Sequence, residues 1–318
     1  MPSPSSNVVL IGTGGTIAGT AKRPQDHTGY KSGALTAEAL LAAVPALAGQ
    51  ALESESLAQL DSCDMDHATW VRLARCVQRQ LARADVAGVV ITHGTDTLEE
   101  TALFLHLTAR ADKPVVLTAA MRPATAPSPD GPQNLVDAVT LARHAGACGV
   151  LAVMGGVVHA ATEVRKVHGY RVDAFSSGDG GPLALLQDGV VRQLRAWPEG
   201  APPYTAALDV DTSAWPVVDI VTSHAGARAA TVDALVAAGA RGLVFAGSGN
   251  GSVHAAMLAA ARQAMLRGVR VVRASRCITG SVVGMPDGAL PSAADLTPAQ
   301  ARVALMLELT QALIIAPA

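Results

Sequence analysis

The stretch "GVVITHGTDTLEETALFLHLTAR", Gly88 to Arg110, decides the fold. Its first half is short, β-branched and continuously apolar, which suits a strand buried on both faces. Its second half has helical spacing and opens on Thr97-Leu98-Glu99-Glu100. That run matches a capping box, with Thr97 as N-cap and Glu100 reaching back to it. A strand that passes at once into a helix is the repeating half of a βαβ unit. Thr95 and Asp96 then fall at the carboxyl end of the strand, where open α/β sheets bind ligands.

A second junction of this kind lies upstream in "NVVLIGTGGTIAG", Asn7 to Gly19, and puts Thr16 in the corresponding position. Both threonines are therefore expected to face one pocket. Four glycines between Gly12 and Gly19 turn the chain sharply and are expected to let a substrate approach the backbone at Thr16. The turn is not a dinucleotide fingerprint, because Ile17 stands where the third glycine is needed, and no lysine follows at the offset a phosphate loop requires.

Working outward, the runs "PVVLTAA", "GVLAVMGG", "VDIVTSH", "GLVFAGS" and "VRVVRAS" read as further strands. The stretches "DHATWVRLARCVQRQLARA", "GPQNLVDAVTLARHA" and "SVHAAMLAAARQAMLRG" between them read as helices. The fold class is α/β with a mostly parallel sheet. The alternation breaks between about 187 and 217, where Pro, Gly and Asp crowd a stretch of little periodicity. The expected organisation is an N-terminal α/β domain over 1–190 carrying the catalytic threonines, a linker over 191–217, and a smaller C-terminal α/β domain over 218–318.

Composition narrows the function. A chain of 318 residues, half of them hydrophobic and 3% aromatic, is long enough for two cores built from Ala, Val and Leu. A net charge of −2 with mixed signs offers no basic field for nucleic acid or for a membrane surface, so small neutral or zwitterionic partners fit better. Cys63, Cys76, Cys148 and Cys277 form no paired motif, which points away from a zinc site or a disulfide framework and towards a reducing compartment. The first strand begins almost at once, and the N-terminus lacks the pattern of a leader. A cytoplasmic location is expected, or a periplasmic one if a leader has been removed. Only four residues are lysine, Lys22, Lys31, Lys113 and Lys166, so a lysine within a structured element is less apt to be filler.

The segments "TGGTIAG", "CDMD", "ITHGTDTLEETA", "KPVVLTAAMRP", "DGPQNL" and "GSGNG" occur in the order and approximate spacing of bacterial L-asparaginases, in the family that also holds glutaminase-asparaginases. The chain resembles that family from about residue 7 to 312. The resemblance implies hydrolysis of the side-chain amide of L-asparagine to L-aspartate and ammonia through a threonine nucleophile, with weaker use of glutamine and no cofactor or metal. It implies Thr16 as the attacking hydroxyl and Tyr30 as its assistant, with Thr95, Lys166 and Asp96 as a relay analogous to that of serine proteases. It assigns Ser62 to the substrate carboxylate, with Cys63, Thr95 and Asp96 beside it. Asn250 would be contributed by a neighbouring subunit, which implies at least a dimer and, by expectation, a homotetramer. These residue types suit the chemistry, since amide hydrolysis needs a nucleophile, a proton acceptor and donors aimed at the developing oxyanion. Which threonine attacks first stays open at this point.

Two departures from the family pattern stand out. Cys63 replaces a glutamine, and a thiol cannot supply the amide oxygen that accepts from a substrate ammonium. A short C-terminal loop puts Gly288 or Ala289 where a neighbour's glutamate is usual, with Asp287 adjacent. Several residues have plainer readings. His93 is expected to be a hydrogen-bonded structural histidine, and Cys76 and Cys148 small packing residues. Metal hydrolysis through His93, Asp96, Glu99 and Glu100 lacks a defensible ligand spacing. The rival functions are an amino-acid-binding regulatory protein on the same fold, which would not need all of Thr16, Thr95, Asp96 and Lys166, and the amide-donor subunit of a tRNA-dependent amidotransferase, which calls for an extra domain and a basic face.

Overall fold

The computed structural model describes residues 7–200, 202–284 and 288–315. The chain divides into two compact units between Pro203 and Tyr204. In the first, the strands are β1 (Asn7–Gly14), β2 (Leu52–Leu60), β3 (Val86–Thr92), β4 (Val115–Thr118), β5 (Val150–Met154), β6 (Val157–Ala160), β7 (Arg165–Lys166), β8 (Phe175–Ser176), β9 (Ala184–Gln187) and β10 (Val190–Gln193). The helices are α1 (Ala37–Ala42), α2 (His67–Leu81), α3 (Leu98–Thr108) and α4 (Gly131–Ala142).

Eight of these strands form one sheet in the order β10-β9-β6-β5-β4-β3-β1-β2. From β2 to β5 all pairings are parallel, and the remaining three strands continue the sheet antiparallel. The parallel strands are continuous apolar runs because both of their faces are covered. Val8, Leu10, Val90, Val116 and Leu151 share a core with Leu135, Val139 and Leu141 of α4. On α2 and α3, Trp70 stacks on Phe104 with ring centroids 5.0 Å apart. Burying each large aliphatic side chain contributes about 1.5–3 kcal/mol, so the parallel strands hold much of the unit together. The strand order reverses between β1 and β3, since β2 lies on one side of β1 and β3 on the other. Such a reversal splays the following loops apart and opens a crevice at the carboxyl ends of the two strands.

The second unit is a three-stranded parallel sheet in the order β11-β12-β13, formed by β11 (Val218–Thr222), β12 (Gly242–Gly247) and β13 (Arg270–Ser275). Its helices are α5 (Ala229–Ala237), α6 (Ala255–Leu266) and α7 (Pro298–Ile315). Leu243, Phe245, Met257, Ala261 and Val271 form its core. Structure enters the stretch read as a linker from both sides. The first unit's sheet runs through β10 to Gln193, and the second unit begins with one-turn helices at Thr205–Asp209 and Thr212–Ala214. No helix among the described residues is long and apolar enough to cross a membrane.

Candidate active site

Three loops meet at the carboxyl ends of β2, β1 and β3. Gly15 has φ 78°, and a Cβ there would lie 2.4 Å from the Cα of Gly94, while one on Gly14 would lie 2.3 Å from the Leu60 carbonyl oxygen. The glycines thus admit neighbouring protein backbone at these two positions, a correction to the expectation that they make room for substrate. Because the backbones of Gly15 and Gly94 touch, Thr16 and Thr95, the residues that follow them, leave from adjoining turns. The Thr13 hydroxyl donates to the Thr92 carbonyl at 2.9 Å and ties the two strand ends together. The β2 loop is bound to the same turn, for the Asp96 N–H donates to Ser62 Oγ at 3.1 Å and Thr97 Oγ1 donates to the Ser62 carbonyl at 2.8 Å. Thr97 is the N-cap residue of α3, but its side chain makes no capping bond. The capping box is therefore corrected: a bond to the neighbouring loop has replaced the local one.

Each threonine has its own partners. Thr16, 6% exposed, lies in a single helical turn after β1, with its Oγ1 2.6 Å from the Tyr30 hydroxyl. Thr95 is 7% exposed and accepts from Lys166 Nζ at 2.8 Å, and the same ammonium is 2.6 Å from Asp96 Oδ1. The Lys166 side chain is 19% exposed and that of Asp96 is 54% exposed, so the carboxylate keeps an open flank towards solvent. An ammonium that donates to Thr95 leaves the threonine proton free to be given elsewhere. Lys166 sits on the two-residue strand β7, paired with Phe175 of β8.

Glu99 is a residue of the site that the sequence did not disclose as such. From the first turn of α3 its Oε2 accepts from the Lys166 backbone N–H at 3.1 Å. Burial pushes it up to about 7, against the influence of that bond, which favours the charged form. The available signal was its spacing, three and four residues beyond Asp96 and Thr95, which returns a helical side chain to the same end of the helix.

The supporting shell explains other motif residues. Gly94 O can only accept, so His93 Nδ1, 2.7 Å away, carries the proton. Its Nε2 then accepts from Thr101 Oγ1 at 3.0 Å, and Thr101 accepts from Trp70 Nε1 at 2.8 Å. His93 is fully buried, and burial drives it down to about 4, in keeping with this neutral tautomer. It is the structural histidine expected from the sequence. The Asp130 carboxylate of "DGPQNL" accepts the N–H groups of Met121 and Arg122, both at 2.9 Å, and fixes the turn after β4. Among the described residues, no group of three or more His, Cys, Asp or Glu side chains could hold a metal ion.

The remaining candidates fall in different places. Ser62 is buried beside the turn of Thr95 and Asp96, with its hydroxyl proton still available to a ligand. Cys63 is exposed; desolvation, then the charges of Asp61, Asp64 and Asp96, hold its thiol above the ordinary range. Asn250, in the second unit, holds Val283 of its own chain at both ends, donating from Nδ2 to the carbonyl at 2.6 Å and accepting the N–H at Oδ1 at 2.8 Å. Gly288 is exposed and its carbonyl accepts from Arg262; Ala289 is half-buried, and Asp287 lies outside the described residues.

The fold and this set of groups define a class, a protein of mixed α/β architecture with two separately supported side-chain hydroxyls at one crevice. The family model "Asparaginase, N-terminal" matches residues 7–198, and "Glutaminase/Asparaginase C-terminal domain" matches residues 217–316. The chain belongs to the asparaginase family. It is 39% identical to L-asparaginase 2 of Bacillus subtilis (strain 168), over 96% of this chain and 83% of that relative. It is 35% identical to glutaminase-asparaginase of Pseudomonas fluorescens biotype A, over 96% and 87%. The crystal structure of a probable cytoplasmic L-asparaginase from Campylobacter jejuni is similar at a TM-score of 0.91 and 39% identity, covering 96% of this chain and 95% of that one.

Proposed function

We propose that this protein hydrolyses the side-chain amide of L-asparagine to L-aspartate and ammonia in the crevice between the β1 and β3 turns. The observation that carries the assignment of residues is the presence of two separately supported hydroxyls on touching turns, Thr16 with Tyr30 and Thr95 with Lys166 and Asp96. Thr16 Oγ1 attacks the amide carbon while its proton passes to the Tyr30 side. The carbon–nitrogen bond breaks, the nitrogen leaves as ammonia with the proton it gains, and water then cleaves the threonyl ester. Lys166 and Asp96 hold Thr95 so that its free proton points into the crevice. Ser62 is suited to the substrate carboxylate and Asp96, through its open flank, to the ammonium.

Asn250 is read as completing a neighbour's pocket, so the working unit is at least a dimer and a homotetramer is expected. The scattered cysteines support a cytoplasmic setting. Neither the regulatory reading nor the amidotransferase reading gains an observation. The test is ammonia release from asparagine and glutamine at matched concentrations, with sedimentation of the same preparation. Asparagine is expected to be the better substrate, because one methylene in a shaped pocket discriminates by about 1–3 kcal/mol. Absence of release from either amide overturns the assignment, and a fully active monomer overturns the role of Asn250.

A further inference from the structure

The segment from Thr20 to Lys31 brings Tyr30 to Thr16, yet little holds its outer part. Its ends are joined to each other, with Thr20 N–H donating to Lys31 O at 3.1 Å and Lys31 N–H to Thr20 O at 2.9 Å. Near its base, Ala21 N–H donates to Thr125 Oγ1 at 2.9 Å. Residues 22–25 are exposed. At the tip the Asp26 carboxylate accepts the N–H groups of Thr28 and Gly29, which shapes the turn without fastening it to anything else.

Opposite the tip stands Tyr170, on the loop between β7 and β8, four residues beyond Lys166. That loop is set by His168 Nδ1, which accepts from the N–H groups of Tyr170 and Arg171, both at 3.0 Å, and by Val167 N–H donating to Ala174 O at 2.7 Å. Tyr170 is 59% exposed, a large ring presented to solvent on a fixed backbone. Its partner is His27. The rings stack with centroids 6.4 Å apart and 25° between planes, and the Tyr170 hydroxyl lies 3.3 Å from His27 Nδ1. His27 Nε2 is buried and has no hydrogen-bond partner. A polar atom is thus held out of water by this contact, at a cost that the closed arrangement must offset.

We infer that His27 and Tyr170 form a clasp that positions Tyr30 against Thr16. The clasp closes a circuit: Thr95 to Lys166, along the β7–β8 loop to Tyr170, across to His27, and along three residues to Tyr30 and Thr16. The two hydroxyl groups are therefore linked twice, once through the touching turns and once around the outside. The first link is backbone and fixed. The second is one aromatic stack and one long hydrogen bond, weak enough to open and close during turnover. Neither residue touches the reacting atoms; both act through Tyr30.

The scarcity of lysine provides a clean test. A lysine-specific endoprotease has four possible sites in the whole chain, and Lys22 and Lys31, both exposed, flank the tip. Lys113 and Lys166 are part-buried and hydrogen-bonded. On the unliganded full-length protein, Tyr170→Ala is expected to raise cleavage at Lys22 and Lys31 about three- to tenfold with no change in melting temperature. Tyr170→Phe, which keeps the stack, should show a smaller rise. The kinetic arm rests on the function proposed above. Tyr170→Ala should lower kcat for asparagine about threefold or more, and should have no further effect when Tyr30 is already Phe. Unchanged cleavage in Tyr170→Ala overturns the clasp, and so does an equal loss of kcat with and without the Tyr30 hydroxyl. Faster cleavage with unchanged kcat overturns the positioning of Tyr30 by the clasp if Tyr30→Phe alone lowers kcat, and removes Tyr30 from catalysis if it does not.

Discussion

The two units use glycine-rich turns after parallel strands in different ways. In the first, "GTGGTIAG" follows β1 at the reversal of strand order, and the turn brings a threonine hydroxyl beside a tyrosine. In the second, "GSGNG" follows β12, whose neighbours β11 and β13 continue in one direction without a reversal. There the turn folds on itself, for a Cβ at Gly247 would lie 2.4 Å from the Gly251 carbonyl carbon, and Ser248 and Ser252 pair their backbones. Asn250 grips Val283, and Arg273 donates to the carbonyls of Asn250, Gly284 and Leu290. A glycine-rich turn therefore marks a place where backbones approach closely. The order of strands reverses beneath the first turn, which opens a crevice beside its polar groups, and does not reverse beneath the second.

The comparison is broken most severely at Thr16. Thr16→Ala is expected to lower ammonia release on the order of 10³-fold or more, as loss of a nucleophile does. A threonine with only a local structural role would lower stability by about 1 kcal/mol and leave turnover nearly intact. Specific activity and a melting curve on one preparation separate the two.

Next in size is an acid limb to the stability of the first unit. His93 has a folded-state pKa of about 4 against an ordinary 6.5, so below 6.5 the unfolded chain takes up a proton that the folded one refuses. Stability is therefore lost as pH falls from 6.5 to 4, by about 3 kcal/mol for this group. His159, driven down to about 4 by burial, adds to the same limb. Glu99 works the other way, because burial holds it at about 7 and the folded chain takes up its proton first. Urea midpoints should still fall across this range in the parent, where two histidines outweigh one carboxyl, and the fall should nearly vanish in His93→Gln, where His159 and Glu99 offset each other.

A smaller effect concerns the ammonium. Cys63 offers no amide oxygen, and each missing hydrogen bond to a desolvated ammonium costs about 1–3 kcal/mol. The KM for asparagine should stand about tenfold or more above that of a family member with the glutamine, with kcat little changed, because such contacts hold substrate and transition state alike. Initial-rate measurements on Cys63→Gln should recover part of the difference. A micromolar KM in the parent ends the idea.

The mildest change is Asn250→Ala. If the side chain serves only Val283, it should lower stability by about 1 kcal/mol with KM unmoved. If it also serves a neighbour's pocket, KM should rise together with that loss.

What the sequence disclosed follows from burial. Strands β1, β3, β4 and β5 are apolar without a break because both faces are covered, and they were legible as strands. β2, "LESESLAQL", has one neighbour in the sheet and several exposed residues, so its polar spacing concealed it. The antiparallel strands β6, β9 and β10 are four residues each, too short for a period to show. Within the site, Thr16, Thr95, Asp96 and Lys166 were named from motifs. Glu99 and Tyr170 were not, because each acts through a contact 67 or 143 residues away in the chain. Thr97 was misread for the same reason: a distant carbonyl competed with the local helix end.

The contact between Gly15 and Gly94 also bears on how the pocket can be altered. With no room for a side chain at either position, the separation of the two turns is a dimension of the main chain, like the gauge of a track. A combinatorial library aimed at a different amide would waste its members there. Its diversity belongs in the exposed residues 22–25, 63 and 64, away from His27, Tyr30 and Ser62, where the loops beside the crevice can be redrawn while the spacing of the two turns stays as built.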